Sequence, residues 1–326
     1  MNKRIESLDY LRAFSAIGIL LMHVLANGDY ALSGFVFERL IPSFTDLVFL
    51  FMVLSGFSMC NGYYEKIKNN EISIDDFYVR RFKKIWPFFA VMCLIDFVLS
   101  PSFSTLWETF ANLTLCFGFL SDITFSVIGV GWFIGLVFVF YALFPFYCFL
   151  IGTKKRACFS FFVSLVLNYL CVNYFDVTRT NIIYSSMYFF AGGLIYLYKD
   201  EIMRIFDRKK ILVLGILIFS LFGYFNGAFK SFWILLISIE LILLFILNQR
   251  RVGWFISFIS GISMEIYLCH MMFYRILEKL NLIHISTNEL VSYCFVVGLV
   301  FIGAACFSYI TSIFLKRMVS LCQTKS

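Results

Sequence analysis

Charge is what this chain has least of. Asp, Glu, Lys and Arg make up 14% of its 326 residues and His contributes only 3, where soluble domains carry roughly 25% charged residues. Proline is scarcer still, at 4 residues, so little interrupts long helical runs. No Pro/Gly/Ser-rich linker, low-complexity tract or fixed-period repeat divides the sequence, which excludes a string of tethered domains and a repeat solenoid. The 10 Cys form no CxxC pair and none has a His at ligand spacing. Cys60, Cys93, Cys116 and Cys148 lie in apolar runs and read as small packing residues, so neither a disulfide framework nor a metal site is signalled. What is present in excess is apolar surface, 61% hydrophobic and 20% aromatic with 43 Phe. That composition excludes a soluble domain and reads as one all-α integral membrane domain over residues 1–326. The net charge of +7 does not point to nucleic acid, because in a membrane protein it is read by position.

Ten stretches are long and apolar enough to be expected as transmembrane helices: 8–26, 44–63, 85–100, 132–151, 157–174, 184–198, 211–226, 232–248, 253–273 and 290–314. With both termini cytoplasmic, 21 Lys and Arg fall on inner segments and 5 on outer ones, Arg12 inside a span completing the 27. This asymmetry orients the chain by the positive-inside rule. Residues 101–131 carry no Lys or Arg and are too short for two spans and a turn, so an outer re-entrant or interfacial helix is expected around 106–120. Lys3 and Arg4 before an apolar run resemble a secretory leader. Asp9 and Arg12 interrupt that run and many spans follow, so the first helix is expected to stay.

The first span, LDYLRAFSAIGILLMHVLA at 8–26, carries three ionisable residues, Asp9, Arg12 and His23. Each is costly inside a bilayer and so marks a functional candidate. Arg12 and His23 lie eleven residues apart, which returns to nearly the same helix face and separates them by about 16 Å along the axis. Asp9 stands one turn before Arg12 and is its nearest available counter-ion. His270, in the 253–273 stretch, is expected at the same outer depth as His23. A neutral imidazole there can take a proton from a hydroxyl if a partner orients it, and Asp46 is placed to be that partner; hydrogen bonding within the bundle is the alternative use of either His. His284, in an outer loop, reads as an ordinary exposed residue. Before Trp86, the segment ending in Arg80, Arg81, Lys83 and Lys84 reads either as a positive-inside flank attracted to anionic lipid or as a clamp for a ligand with several phosphates.

These residues resemble the acyltransferase-3 family of polytopic membrane O-acyltransferases. The first span is similar to its LDGLRA-like opening, with Arg12 and His23 at the family's Arg and His positions. FLFMVLSGF (Phe49 to Phe57) is similar to its FFVLSGF span, RRFKKIWP (Arg80 to Pro87) to its RRxxRIxP turn, and IYLCHMMF (Ile266 to Phe273) to its IYLxHxxF span. GWFIGLVFVFYALFP (Gly131 to Pro145) is similar to the span that in many members carries a glutamate; here Val137 and Phe138 stand there, and Trp132-Phe133-Ile134 resembles a WFL-type subset. Lys84 replaces the Arg that would close the basic turn, keeping charge but losing the bidentate fork.

The resemblance implies transfer of an acyl group, most often acetyl from acetyl-CoA, to a hydroxyl of a cell-surface polysaccharide or lipid-linked glycan, in a bacterial inner membrane. It implies that Arg80, Arg81, Lys83 and Lys84 hold the nucleotide end of CoA and that the pantetheine arm passes Arg12. His23 would serve as base or transient acyl carrier, His270 would assist it, and Trp132 would shape the sugar-side opening. Membrane lipid is a further expected partner and no metal is required. A glycan or lipid transporter or flippase is the rival from another class, but neither an internal repeat nor paired Gly/Pro-broken spans support it.

Overall fold

In the computed structural model, residues 5–99, 101–119, 129–206 and 209–323 are described. Every regular element among them is helical. Helix α1 is Leu8–Asn27. It is followed by a continuous helical run, α2, over Val36–Lys68, then by α3, Ile74–Leu99. Further helices are α4 (Phe103–Leu113), α5 (Trp132–Leu150), α6 (Lys154–Asn173), α7 (Ile182–Leu197) and α8 (Lys199–Phe206). The chain continues through α9 (Lys210–Asn226), α10 (Lys230–Leu247), α11 (Trp254–Gly261), α12 (Ser263–Lys279) and α13 (Glu289–Gln323).

Six helical runs are long and apolar enough to cross a bilayer, and α11 with α12 makes a seventh if that bent pair is one span. The other three expected spans are helical but fall short of that standard. α7 and α9 have 16 and 17 residues. α3 begins eleven residues before the expected 85 and draws the Arg80–Lys84 cations into its first half, so the basic segment is helical rather than a loop leading into a helix. Position 100, where that span was expected to end, lies outside the described residues.

Two further expectations change in shape. The 253–273 stretch is broken after Gly261, where α11 and α12 meet at 73°. The helix expected around 106–120 is the 11-residue α4, followed by a 3-10 turn at Cys116–Phe119, and position 120 lies outside the described residues. At 1.5 Å per residue α4 covers about 16 Å, half the hydrocarbon thickness, and cannot cross it. Ser102 caps its start by accepting from the Thr105 N–H, while Phe103, Trp107 and Phe110 point outward from it. Lys3 and Arg4 lie outside the described residues.

Helix α1 occupies the centre. Its Leu8, Leu11, Ile19, Leu20 and Val24 are buried, and it packs against α2, α10, α11, α12 and α13. Beside it α2 and α7 approach closely because glycine stands at both contact points. A Cβ on Gly56 would sit 2.4 Å from the Phe189 carbonyl oxygen, and one on Gly192 would sit 2.3 Å from that of Val53. Small residues permit this approach between membrane helices. The contact fixes the α2 face that carries Ser55 and Ser58. Gly56→Val is therefore expected to lower the thermal melting midpoint of the detergent-solubilised protein by several degrees, the overpacking cost being about 1–3 kcal/mol. Gly215→Ala, where no atom lies within 4 Å of the added methyl, should not lower it.

Candidate active site

Arg12 is held in place from two helices. Its Nη1 donates to Asp9 Oδ1 at 2.7 Å and its Nη2 to Ser58 Oγ at 2.7 Å. Asp9, almost wholly buried, also accepts from Ser260 Oγ at 2.8 Å. Local sequence supplies the pair, since one turn of helix brings Asp9 and Arg12 together. The serines come from afar, Ser58 from α2 and Ser260 from the end of α11. The guanidinium is thus oriented, and it borders open space rather than packed apolar surface.

That space consists of two adjoining cavities, of about 530 and 160 Å³. Arg12, Ser55, Lys84, Tyr141, Ser260 and Gly261 border both. The larger cavity adds Asn61, Tyr63 and Arg81, and the smaller adds Phe133, Glu265 and Tyr267. Two irregularities open them. At Cys60–Tyr64, α2 widens into a π-helical turn that carries Asn61 and Tyr63; such turns recur at functional sites. The break after Gly261 swings α12 away from α11 beside Ser260.

The basic cluster divides along the helix. Arg81 and Lys84 border the cavities, whereas Arg80 and Lys83 are exposed and do not. Arg81 donates through Nη2 to the Tyr63 hydroxyl at 2.6 Å, and its guanidinium carbon lies 4.6 Å from the centre of the Tyr63 ring. Two buried polar atoms on the cavity-lining residues, Arg81 Nε and Asn61 Oδ1, have no hydrogen-bond partner among the described residues. A donor and an acceptor left unpaired out of water are costly and are found where a polar ligand completes them.

The two histidines meet. His270 Nε2 and His23 Nδ1 are 3.0 Å apart, and His270 Nδ1 lies 3.2 Å from the Ile266 carbonyl oxygen. A carbonyl only accepts, so the proton of a neutral His270 sits on Nδ1 and its Nε2 is an acceptor. His23 Nδ1 must then be the donor, and His23 Nε2 carries the lone pair. A backbone carbonyl one helical turn away thereby sets the tautomer of both rings. His270 is buried and His23 partly so. Neither histidine borders either cavity; Tyr267, which borders the smaller one, has its ring centre 6.1 Å from that of His270 and donates its hydroxyl to the Val130 carbonyl at 2.8 Å.

Asp46 is committed elsewhere. It accepts from the Tyr224 hydroxyl at 2.7 Å and lies 3.7 Å from Arg179 Nη1, so the group that orients His23 is His270 and not Asp46. Arg179 also donates to Thr45 Oγ1 at 2.9 Å, and its guanidinium lies 5.4 Å from the ring centre of Trp132. Trp132 is the first residue of α5 and does not border either cavity. His284 is exposed and lies 3.1 Å from Glu289 Oε2. Glu240 accepts from Ser220 Oγ at 3.0 Å.

Sequence reasoning missed Ser58, Asn61, Tyr63, Tyr141, Ser260, Tyr267 and Arg179. In a chain with 18 Tyr and 43 Phe no aromatic position stands out, and serines in membrane helices ordinarily bond their own backbone. Arg179 had one signal, as a lone cation between two apolar stretches, but nothing in the sequence pairs it with Asp46.

No curated protein and no solved structure matches this chain. Residues 5–309 match the family model described as an acyltransferase domain. That match begins before α1, ends inside α13 and contains the cavities, the Arg12 network and both histidines. The chain therefore belongs to the acyltransferase-3 family and is a multi-pass membrane acyltransferase.

Proposed function

We propose that the protein transfers an acyl group, acetyl in the simplest case, from acyl-CoA to a hydroxyl of a cell-surface polysaccharide or lipid-linked glycan, with ten spans and both termini on the cytoplasmic side of a bacterial inner membrane. The observation that carries this reading is one run of space. It is bordered at the wide end by Arg81 and the unpaired Asn61 oxygen, passes Lys84 and Arg12, and ends at Tyr267, next to the His270–His23 pair. A nucleotide with phosphates needs cations and polar groups at the wide end, and a long thin arm needs a narrow continuation.

The chemistry assigned to each residue follows from position. Arg81 and Lys84 bind the phosphates of the donor on the side that carries most Lys and Arg. Arg12, about 16 Å along α1 from His23, is too far to act on the same carbonyl and instead orients the donor's arm. His23 Nε2 takes the proton of the acceptor hydroxyl as its oxygen attacks the thioester carbon. The C–S bond then breaks and the departing thiolate recovers that proton. The transient imidazolium is stabilised by its Nδ1–H bond to His270. Trp132, with Arg179 over its ring, and Asp46 with Tyr224 border the route by which a sugar arrives, since aromatic faces and charged hydrogen-bonding groups suit a hydroxyl-rich ligand.

Two expectations test the assignment. In proteoliposomes supplied with acetyl-CoA and acceptor glycan, His23→Ala should lower the rate of acyl transfer by about 10²–10⁴-fold, the usual range for a general base. His270→Gln, whose amide oxygen can still accept from His23 Nδ1–H, should retain more activity than His270→Ala. Wild-type rates in His23→Ala at normal expression would remove His23 from the chemistry. For the donor, Arg81→Ala and Lys84→Ala should raise the KM for acetyl-CoA roughly tenfold each, the loss of one charge-assisted contact. Arg80→Ala and Lys83→Ala should leave it within about twofold. Equal effects at all four positions would mean that a diffuse basic surface, and not this cavity, holds the donor.

A further inference from the structure

The smaller cavity of the site has a volume of about 160 Å³. An engineered apolar cavity of about 150 Å³ takes up one benzene, so this one has room for about six non-hydrogen atoms. Of the residues that border it and not the larger cavity, Ile85, Phe133, Ile134, Val137, Met264 and Tyr267 are apolar or aromatic. Ser263 and Glu265 are the polar ones, while Arg12, Lys84 and Ser260 stand where the two cavities adjoin. Three of its rings are in series: the centre of Phe133 lies 6.2 Å from that of Phe51 and 5.5 Å from that of Tyr267. Phe133 and Tyr267 are buried, and the Tyr267 hydroxyl is tied to the Val130 carbonyl. Val137, also buried, follows Phe133 by one turn of α5 and so shares its face.

We infer that the smaller cavity is the subsite for the acyl group of the donor, and that Val137, with Phe133 and Tyr267, restricts that group to a short chain. The inference rests on the acyl-CoA reading above and adds to it which acyl groups are taken and which residues choose them. Capacity decides the length. The end of acetyl-CoA, from the two methylenes before the sulfur to the methyl, is about six non-hydrogen atoms and matches the space. A butyryl group adds two methylenes, and these have no room unless packed rings are displaced. Interiors at this density resist overpacking, so the excess is met as lost affinity and not as a widened cavity. The larger cavity, of about 530 Å³ and bordered by Arg81 and Asn61, takes the nucleotide end and has no means of sensing the acyl chain.

The test is the affinity of the detergent-solubilised full chain for acyl-CoA, read by titration calorimetry with no acceptor present. Acetyl-CoA should bind at least roughly tenfold tighter than butyryl-CoA, since one methylene out of place in an apolar pocket is worth about 10–200-fold. Val137→Ala, which clears room at the wall, should cut that preference by about tenfold. Val137→Phe, which fills the cavity, should weaken acetyl-CoA by about tenfold. It should still hold adenosine bisphosphate, the nucleotide end of CoA without its arm, as the wild type does, which shows that the variant is folded. Leu143→Ala, a truncation on α5 that borders neither cavity, should keep the wild-type preference. Equal wild-type affinities for the two acyl-CoAs, or an unchanged preference in Val137→Ala, would overturn the acyl subsite while leaving the donor reading in place. So would a Val137→Phe protein that loses adenosine bisphosphate as much as acetyl-CoA. A wild type that binds neither acyl-CoA nor adenosine bisphosphate would instead remove the donor reading and this inference together.

Discussion

A guanidinium one turn into an apolar helix has to be satisfied, and much of the interior is arranged around doing so. Arg12 is bonded to Asp9 and Ser58, and Asp9 in turn to Ser260, so one charged pair ties α1 to α2 and to the end of α11. Burying such a pair yields little net stability, because desolvation of both ions opposes their attraction. Its value lies in geometry. It places a fixed cation at the junction of two cavities and holds three helices in register around it.

The same economy governs the other end of α1. Among the described residues no carboxylate bonds His23; a second imidazole does, itself fixed by the Ile266 carbonyl within its own helix. A chain of neutral donors and acceptors avoids an isolated anion in a low-dielectric interior. It also leaves the lone pair of His23 on the ring nitrogen that does not face His270. In this arrangement the departures from regular helix do the positioning. The π-turn at Cys60–Tyr64 presents Asn61 and Tyr63, the 73° break after Gly261 opens the narrow cavity, and the Gly56–Gly192 contact holds α2 against α7.

The first helix was legible in the sequence almost entirely, because Asp9, Arg12 and His23 are ionisable residues in a run where each has a high energetic cost. Their spacing also fixed their common face. The late histidine was legible for the same reason. The basic cluster was legible as charge only: Arg80, Arg81, Lys83 and Lys84 look equivalent in sequence, and what separates them is that Arg81 and Lys84 border the cavities while Arg80 and Lys83 do not. Asp46 was misjudged because depth in the membrane says nothing about azimuth. Its carboxylate bonds the Tyr224 hydroxyl and faces Arg179.

Composition determined that this is a membrane protein, since 61% hydrophobic residues with so few charges cannot be kept in water, and the length of the apolar runs determined that it is helical. Helix periodicity determined that Arg12 and His23 share a face and how far apart they lie. The family match over residues 5–309 agrees with the motifs from which the family is recognised. Tertiary structure alone decided which partners those residues take. Hydrogen bonds between Arg12 and Ser58, Asp9 and Ser260, and His23 and His270 join positions 46 to 251 residues apart. Local physics constrains a residue only to about the next helical turn, and pairings at that range are set by the packing of whole helices.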